Sequence, residues 1–227
     1  MRKGWLLTLS ALLALAVLPT AGRAQSAKSS AKAGNINLMA TTLGGPVTTP
    51  WQTVLTSAIR TSQQKDLFVG VSLESSLFTR GKVRSRNKLA DRSSVAAGVE
   101  VQVLIDGQPA YPGPVVFNRR RQELTATFQG ILASCLTTDP TTGAPIIDEA
   151  CIEPEDLELI LDTTSANHYN FVADDVGVGD HAVLVQARIN LDASFQTGES
   201  EASAIVGHGT VTVEEVRLLK GVEVFEP

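Results

Sequence analysis

The chain is 227 residues long, 43% hydrophobic and 19% charged, with two cysteines, three histidines and a net charge of −5. That length is enough for one well-buried domain without help from a metal. Past residue 24 there is one tryptophan (Trp51) and two tyrosines (Tyr111 and Tyr169), so an aromatic platform for stacking sugars would be thin.

The N-terminus reads as an export signal. Arg2 and Lys3 precede an almost unbroken apolar run from Trp5 to Leu18, and Pro19 ends it. Gly22 and Ala24 then place small residues three and one before a cut at Gln25. The run is too short and wrongly flanked for a transmembrane helix. Residues 1–24 are therefore predicted to be a cleaved signal peptide, with no transmembrane segment left after cleavage. The residue after the cut is Gln25 and not a cysteine, so acylation there is not expected, and no Asn-x-Ser/Thr sequon occurs. The expected location is secreted or periplasmic.

Residues 25–36, opening with QSAKSSAKAG, are small and polar and read as a flexible leader to a single domain over 37–227. Beyond it the dominant period is two, the signature of half-buried strands. Val54, Leu55, Ala58 and Ile59 have the spacing of one short helical turn. Leu67, Val69, Val71, Leu73 and Leu77 alternate with Phe68, Gly70, Ser72, Glu74 and Ser76. Val95 to Ile105 repeats the pattern and runs into Asp106-Gly107, a type I′ hairpin signal. A return arm follows from Tyr111 through Val115 and Phe117, and a further face (Leu124, Ala126, Phe128, Leu132) leads to Cys135. Leu157, Leu159 and Leu161 come after Cys151, then Tyr169, Phe171 and Ala173 before a turn at residues 175–179. Val183, Val185, Ala187, Ile189 and Leu191 face inward on the next strand, with Gln186, Arg188, Asn190 and Asp192 outward. The last strand slips phase at Glu214-Glu215, as a β-bulge would make it do.

Eight to ten strands with no repeat and no interior linker predict an all-β fold, an antiparallel two-sheet β-sandwich with jelly-roll topology preferred. An immunoglobulin-like sandwich fits less well, because the chain is about twice the usual length and no tryptophan lies between the cysteines. The stretch Gly179-Asp180-His181-Ala182-Val183-Leu184-Val185-Gln186-Ala187, followed by Gly209 to Arg217, resembles the closing strands of jelly-roll heads of secreted or phage-type proteins in the broad tumour-necrosis-factor/C1q-like group. The resemblance covers roughly the last 60 residues and implies a homotrimer that binds through its surface.

In an oxidising compartment Cys135 and Cys151 are expected to pair. Closing a loop of that length would stabilise by about 3 kcal/mol in the chain-entropy model. Charge is segregated along the chain: Arg80 to Arg121 carries a local +6, and Asp139 to the end a local −15. Either this steers a partner, or the fold interleaves the two segments and the asymmetry averages out. The basic run Arg80, Lys82, Arg84, Arg86 and Lys88 has a period of two, which puts all five side chains on one face of a strand. Arg119, Arg120 and Arg121 add to it. This stripe is the expected contact for a polyanionic or glycan ligand, or else a solvated loop that prevents edge aggregation. With no interleaved aromatics it is not expected to read nucleic-acid bases.

Catalytic constellations are absent: there is no Gly-x-Ser-x-Gly elbow and no HExxH. If the chain turned as a hairpin at Gly177, His168 and His181 would lie about 17 Å apart at ~3.4 Å per residue, too far to share a metal. His181 continues an inward face and is expected to cap the core, and His208, between Gly207 and Gly209, to sit at a close backbone approach. Asp174, Asp175 and Asp180 flank a Gly-rich turn and form the one calcium candidate, without EF-hand spacing. No cofactor is expected. The sequence thus predicts a non-enzymatic protein acting through surface interaction or homo-oligomeric assembly, with glycan or polyanion binding as the alternative. A glycan-active enzyme stays open only because acidic residues are plentiful.

Overall fold

In the computed structural model, which describes residues 29–84, 90–127, 135–147 and 156–218, the alternating segments are strands throughout. They are β1 (Ser29–Thr42), β2 (Val47–Thr48), β3 (Gln52–Thr61), β4 (Lys65–Arg84), β5 (Ala90–Ile105) and β6 (Gln108–Pro109). β7 (Val115–Thr127), β8 (Leu136–Thr138), β9 (Pro145–Ile147), β10 (Asp156–Val176), β11 (Gly179–Phe195) and β12 (Glu199–Val216) follow. The signal peptide, Arg86, Lys88, Phe128, Leu132 and Cys151 lie outside the described residues.

One sheet has the order β1-β12-β4-β10. The other is centred on β11 and β5, with β2 and β3 on the far side of β11, and β6 and β7 on the far side of β5. Every pairing is antiparallel, and β8 and β9 form a separate hairpin. The pairs β1–β12, β3–β11, β4–β10 and β5–β7 are nested, each enclosing the next in chain order. That nesting, folded over into two facing sheets, is the jelly roll.

The inward faces follow from parity. In β4 the odd residues from Leu67 to Val83 are buried, and the even residues face outward. They meet Val95, Val99, Val101 and Val103 from β5 and Val183, Val185 and Ile189 from β11, all with essentially no exposed area. The Asp106-Gly107 turn has the positive backbone angles a type I′ hairpin needs, φ 50° and 84°. Toward β7 and the far end of β10 the interior turns polar. Thr79 donates to Gln122 Oε1 at 3.0 Å, and the Ser93 and Ser200 hydroxyls meet at 2.8 Å.

Four local expectations are corrected. β1 begins at Ser29 and pairs with β12 from there, so most of the expected leader is an edge strand, its small side chains fitting beside β12. Val54 to Ile59 belong to β3, where pairing with β11 overrides the helical spacing. Register in β12 runs unbroken through Glu214 and Glu215; the bulge sits at Gly207 instead, between Val206 and His208. Finally, β10 and β11 are not a hairpin. The turn carries the chain from one sheet to the other, so His181 opposes Ile59 and His168 opposes Ser72.

Among the described residues no helix is long and apolar enough to cross a membrane.

Candidate functional site

Of the basic stripe, Arg80, Lys82 and Arg84 fall among the described residues, and they do not stand there as an open cationic face. Arg80, Lys82 and Arg84 do share the outer face of β4, but the strands on either side bring carboxylates to them. Arg80 is hydrogen-bonded to Glu158 of β10, which pushes its guanidinium above the ordinary value, and it lies 3.6 Å from Glu199 of β12. Lys82 reaches Asp156 at 2.7 Å, and Arg84 reaches Asp156 and Glu199 at 3.4 Å each. On β4 the sequence segregation of charge is thereby offset: the acidic segment supplies the neighbours of these three cations.

The three arginines of β7 also separate. Arg120 points inward and joins the two sheets. Its Nη1 donates to the carbonyls of Leu77 at 3.1 Å and Leu161 at 3.0 Å, and its Nη2 bonds Thr163. Gln122, next on the same face, donates to the carbonyl of Leu159 at 3.0 Å. Together they tie β7 to β10 and β4 through main-chain carbonyls of both strands. Arg120→Ala is expected to lower the unfolding free energy by about 2–3 kcal/mol, since it removes charge-assisted bonds from partly buried carbonyls. Arg119→Ala and Arg121→Ala should stay within about 0.5 kcal/mol. Urea denaturation of the three variants checks this contrast.

Arg119 and Arg121 project from the opposite face of the same strand, and neither forms an ion pair with a described residue. They form one wall of a groove of about 440 Å³ on the outer face of the β11–β5 sheet. Register defines its geometry. Arg119 lies opposite Gly98, which lies opposite Asn190, which lies opposite Thr48. One step along, Arg121, Ala96 and Asp192 make a parallel row. Directly opposed residues share a face of the sheet. The central strand thus contributes a floor of Ala96 and Gly98 between a guanidinium wall and an amide-carboxylate wall, about 10 Å apart at the backbone. A side chain on Gly98 would crowd the Asn118 carbonyl, with its Cβ 3.3 Å away.

The end of the groove is closed by Arg188. Its Nε and Nη2 both meet Glu100 Oε2 at 2.7 Å, and its guanidinium lies 4.5 Å from the centre of the Trp51 ring. Arg188, Asn190 and Asp192 were legible as the outward residues of the best-patterned strand. The signal that would have marked them as a site is the Ala96-x-Gly98 pair of small outward residues on the strand beside them.

The other sequence candidates are structural. His181 is buried at the end of the sandwich, as expected of a core cap. Its Nδ1 lies 2.7 Å from Asp106 Oδ2, and its Nε2 lies 3.0 Å from the Gly177 carbonyl and 3.1 Å from Thr61 Oγ1. That hydrogen bond, with a second from the Ala182 N–H, holds the Asp106 carboxyl below its usual range. His168 bonds Ser72 and Asn170, and His208 bonds Glu74. Gly209, next to His208, is a close approach: a Cβ there would meet Leu73 at 2.5 Å. The calcium candidates are not gathered. Asp180 pairs with Arg60 at 3.6 Å, and among the described residues no three acidic, histidine or cysteine side chains are placed to hold a metal. Cys135 is fully buried and is not a free thiol.

Fold and groove together define an all-β jelly-roll protein with a polar groove on one outer face. No family model matches the chain, and no curated protein matches it. Solved structures of infectious bursal disease virus are similar only at a low level. The Gt strain structure is 13% identical, with 86% of this chain and 43% of that chain covered and a TM-score of 0.17. For the VP2 subviral particle the values are 10%, 84%, 42% and 0.16. The chain spans less than half the length of these structures. At such scores the likeness carries no argument, and the jelly-roll assignment rests on strand pairing.

Proposed function

We propose that this is an exported, non-enzymatic binding protein that holds an extended glycan in the groove across β5. The observation that carries the reading is the pair Arg119 and Arg121, standing without acidic partners among the described residues over a floor of Ala96 and Gly98. Arg80, Lys82 and Arg84 are engaged by carboxylates of the neighbouring strands, whereas the exposed guanidiniums of Arg119 and Arg121, which pair with no described carboxylate, stand beside an open channel and are available to a ligand. Opposite them, Asn190 and Asp192 supply the amide and carboxylate that hydrogen-bond sugar hydroxyls. The N-terminal signal supports an extracellular or periplasmic ligand, and a Cys135–Cys151 disulfide suits that compartment.

Titration calorimetry of the Gln25–Pro227 protein against neutral and acidic polysaccharides tests the reading. Saturable binding without release of new reducing ends is the expected outcome. Failure to bind any of them, or steady release of reducing ends, overturns it.

Assembly is the second reading, a homotrimer being the form the sequence resemblance implies. It is favoured by the apolar residues that β10 leaves exposed, Leu157, Leu159, Ile160 and Leu161. Light scattering of the oxidised protein decides it: a mass near three chains supports assembly, and a single-chain mass removes it.

A further inference from the structure

We infer that the groove selects an acidic glycan with one carboxylate per sugar and free hydroxyls, a polyuronate, over neutral glycans and over densely charged polyanions. The inference rests on the glycan-binding reading above and assigns the ligand chemistry within it. The two walls differ in kind. On β7, Arg119 and Arg121 are cations with no described carboxylate to neutralise them. On β11, Asp192 is an anion in the same condition and Asn190 is a neutral donor and acceptor.

A ligand that satisfies both walls presents negative groups along one side and hydrogen-bond donors along the other. A polyuronate does this, with its carboxylates toward the arginines and its hydroxyls toward Asp192 and Asn190. Guanidinium and carboxylate match as bidentate partners, which fixes orientation as well as charge. The two arginines leave β7 about 6.8 Å apart, so each meets its own anionic group, and a repeating acid is favoured over a single one. A neutral glycan leaves both guanidiniums uncompensated once the groove is filled. A nucleic acid or heavily sulfated chain brings negative charge against Asp192, and no aromatic side chain is among the described residues that line the groove, so the stacking surface single strands use is missing there.

The probes are polygalacturonate and its fully methyl-esterified form, which share backbone and hydroxyls and differ in charge, with oligothymidylate as the dense polyanion. Calorimetry on the full mature chain should show the acid form binding at least tenfold more tightly than the ester, and oligothymidylate more weakly than the acid form. The double variant Arg119→Gln/Arg121→Gln, at exposed positions that leave the fold intact, should bring acid and ester forms to similar affinity. Asn190→Ala should weaken both forms alike. Equal binding of acid and ester by the unaltered protein, or a double variant that keeps the preference, overturns the inference while leaving the glycan reading standing. Tighter binding of oligothymidylate also overturns it. Loss of binding to every glycan, neutral ones included, brings down both readings.

Discussion

Replacing Asp91 by alanine is expected to lower the unfolding free energy by about 3–5 kcal/mol, because one fully buried carboxylate serves four donors. Its oxygens accept from the Arg84 N–H at 2.8 Å, the Arg92 N–H at 3.0 Å, the Thr197 N–H at 3.2 Å and the Thr197 hydroxyl at 2.6 Å. These donors come from the end of β4, the start of β5 and the turn between β11 and β12, so the side chain ties two connections at one end of the sandwich. Alanine strands the donors where water reaches only some of them; asparagine keeps one acceptor and should lose about half as much. Burial by itself pushes this carboxyl up, but the four hydrogen bonds outweigh it and hold it below the usual carboxylate range.

The pH dependence follows from that sign. A carboxyl whose folded pKa is depressed stabilises fully above its unfolded value of about 3.9, and the contribution is lost as pH falls through the folded value. Asp106, held down by His181, adds in the same direction. The unaltered protein should therefore lose stability below about pH 4, and Asp91→Ala should lose less of what remains. Urea midpoints at neutral pH and near pH 3 check both. An Asp91→Ala midpoint equal to that of the unaltered protein would show that the network contributes nothing.

Phe171→Ala should cost a comparable amount, about 3–5 kcal/mol, as a large-to-small change in a closed core. Phe171 has no exposed area, lies opposite Val69 of β4 and packs against Tyr169 with ring centres 5.1 Å apart. It anchors β10, an edge strand whose other neighbour is the single backbone bridge between Tyr111 and Val172. Leu159 is the control. It sits on the same strand and the same parity face, yet it is 39% exposed, and its replacement by alanine should cost no more than about 1 kcal/mol. Thermal and urea unfolding of the pair test whether the core is concentrated at the Phe171 end. Equal losses would place the packing elsewhere.

That pair also shows where sequence reading stops. Alternation of apolar and polar residues is a local property, dictated by successive side chains of a strand pointing to opposite faces, so the inward sets of β4, β5 and β11 were legible residue by residue. The Asp106-Gly107 turn was legible for the same reason, since its backbone angles depend on two residues alone. So too was the all-β sandwich. Parity cannot say whether an inward face is covered, and Leu159 and Phe171 are indistinguishable until the second sheet is laid over them. Nor does a strand state which neighbour it takes, because its two edges carry the same backbone groups. The hairpin expected at Gly177 became a crossover between sheets, and residues about 70 to 120 positions away in sequence neutralised the basic stripe of β4. Arg119, Arg120 and Arg121 form one cluster in sequence; in the fold, Arg120 is a clamp and its two neighbours are a wall. By itself the sequence determined the inward faces of β4, β5 and β11 and the Asp106-Gly107 turn, all set within a few residues. Which strands lie side by side, and hence the groove between β7 and β11, was decided only by tertiary pairing, because that choice depends on packing between segments the chain keeps far apart.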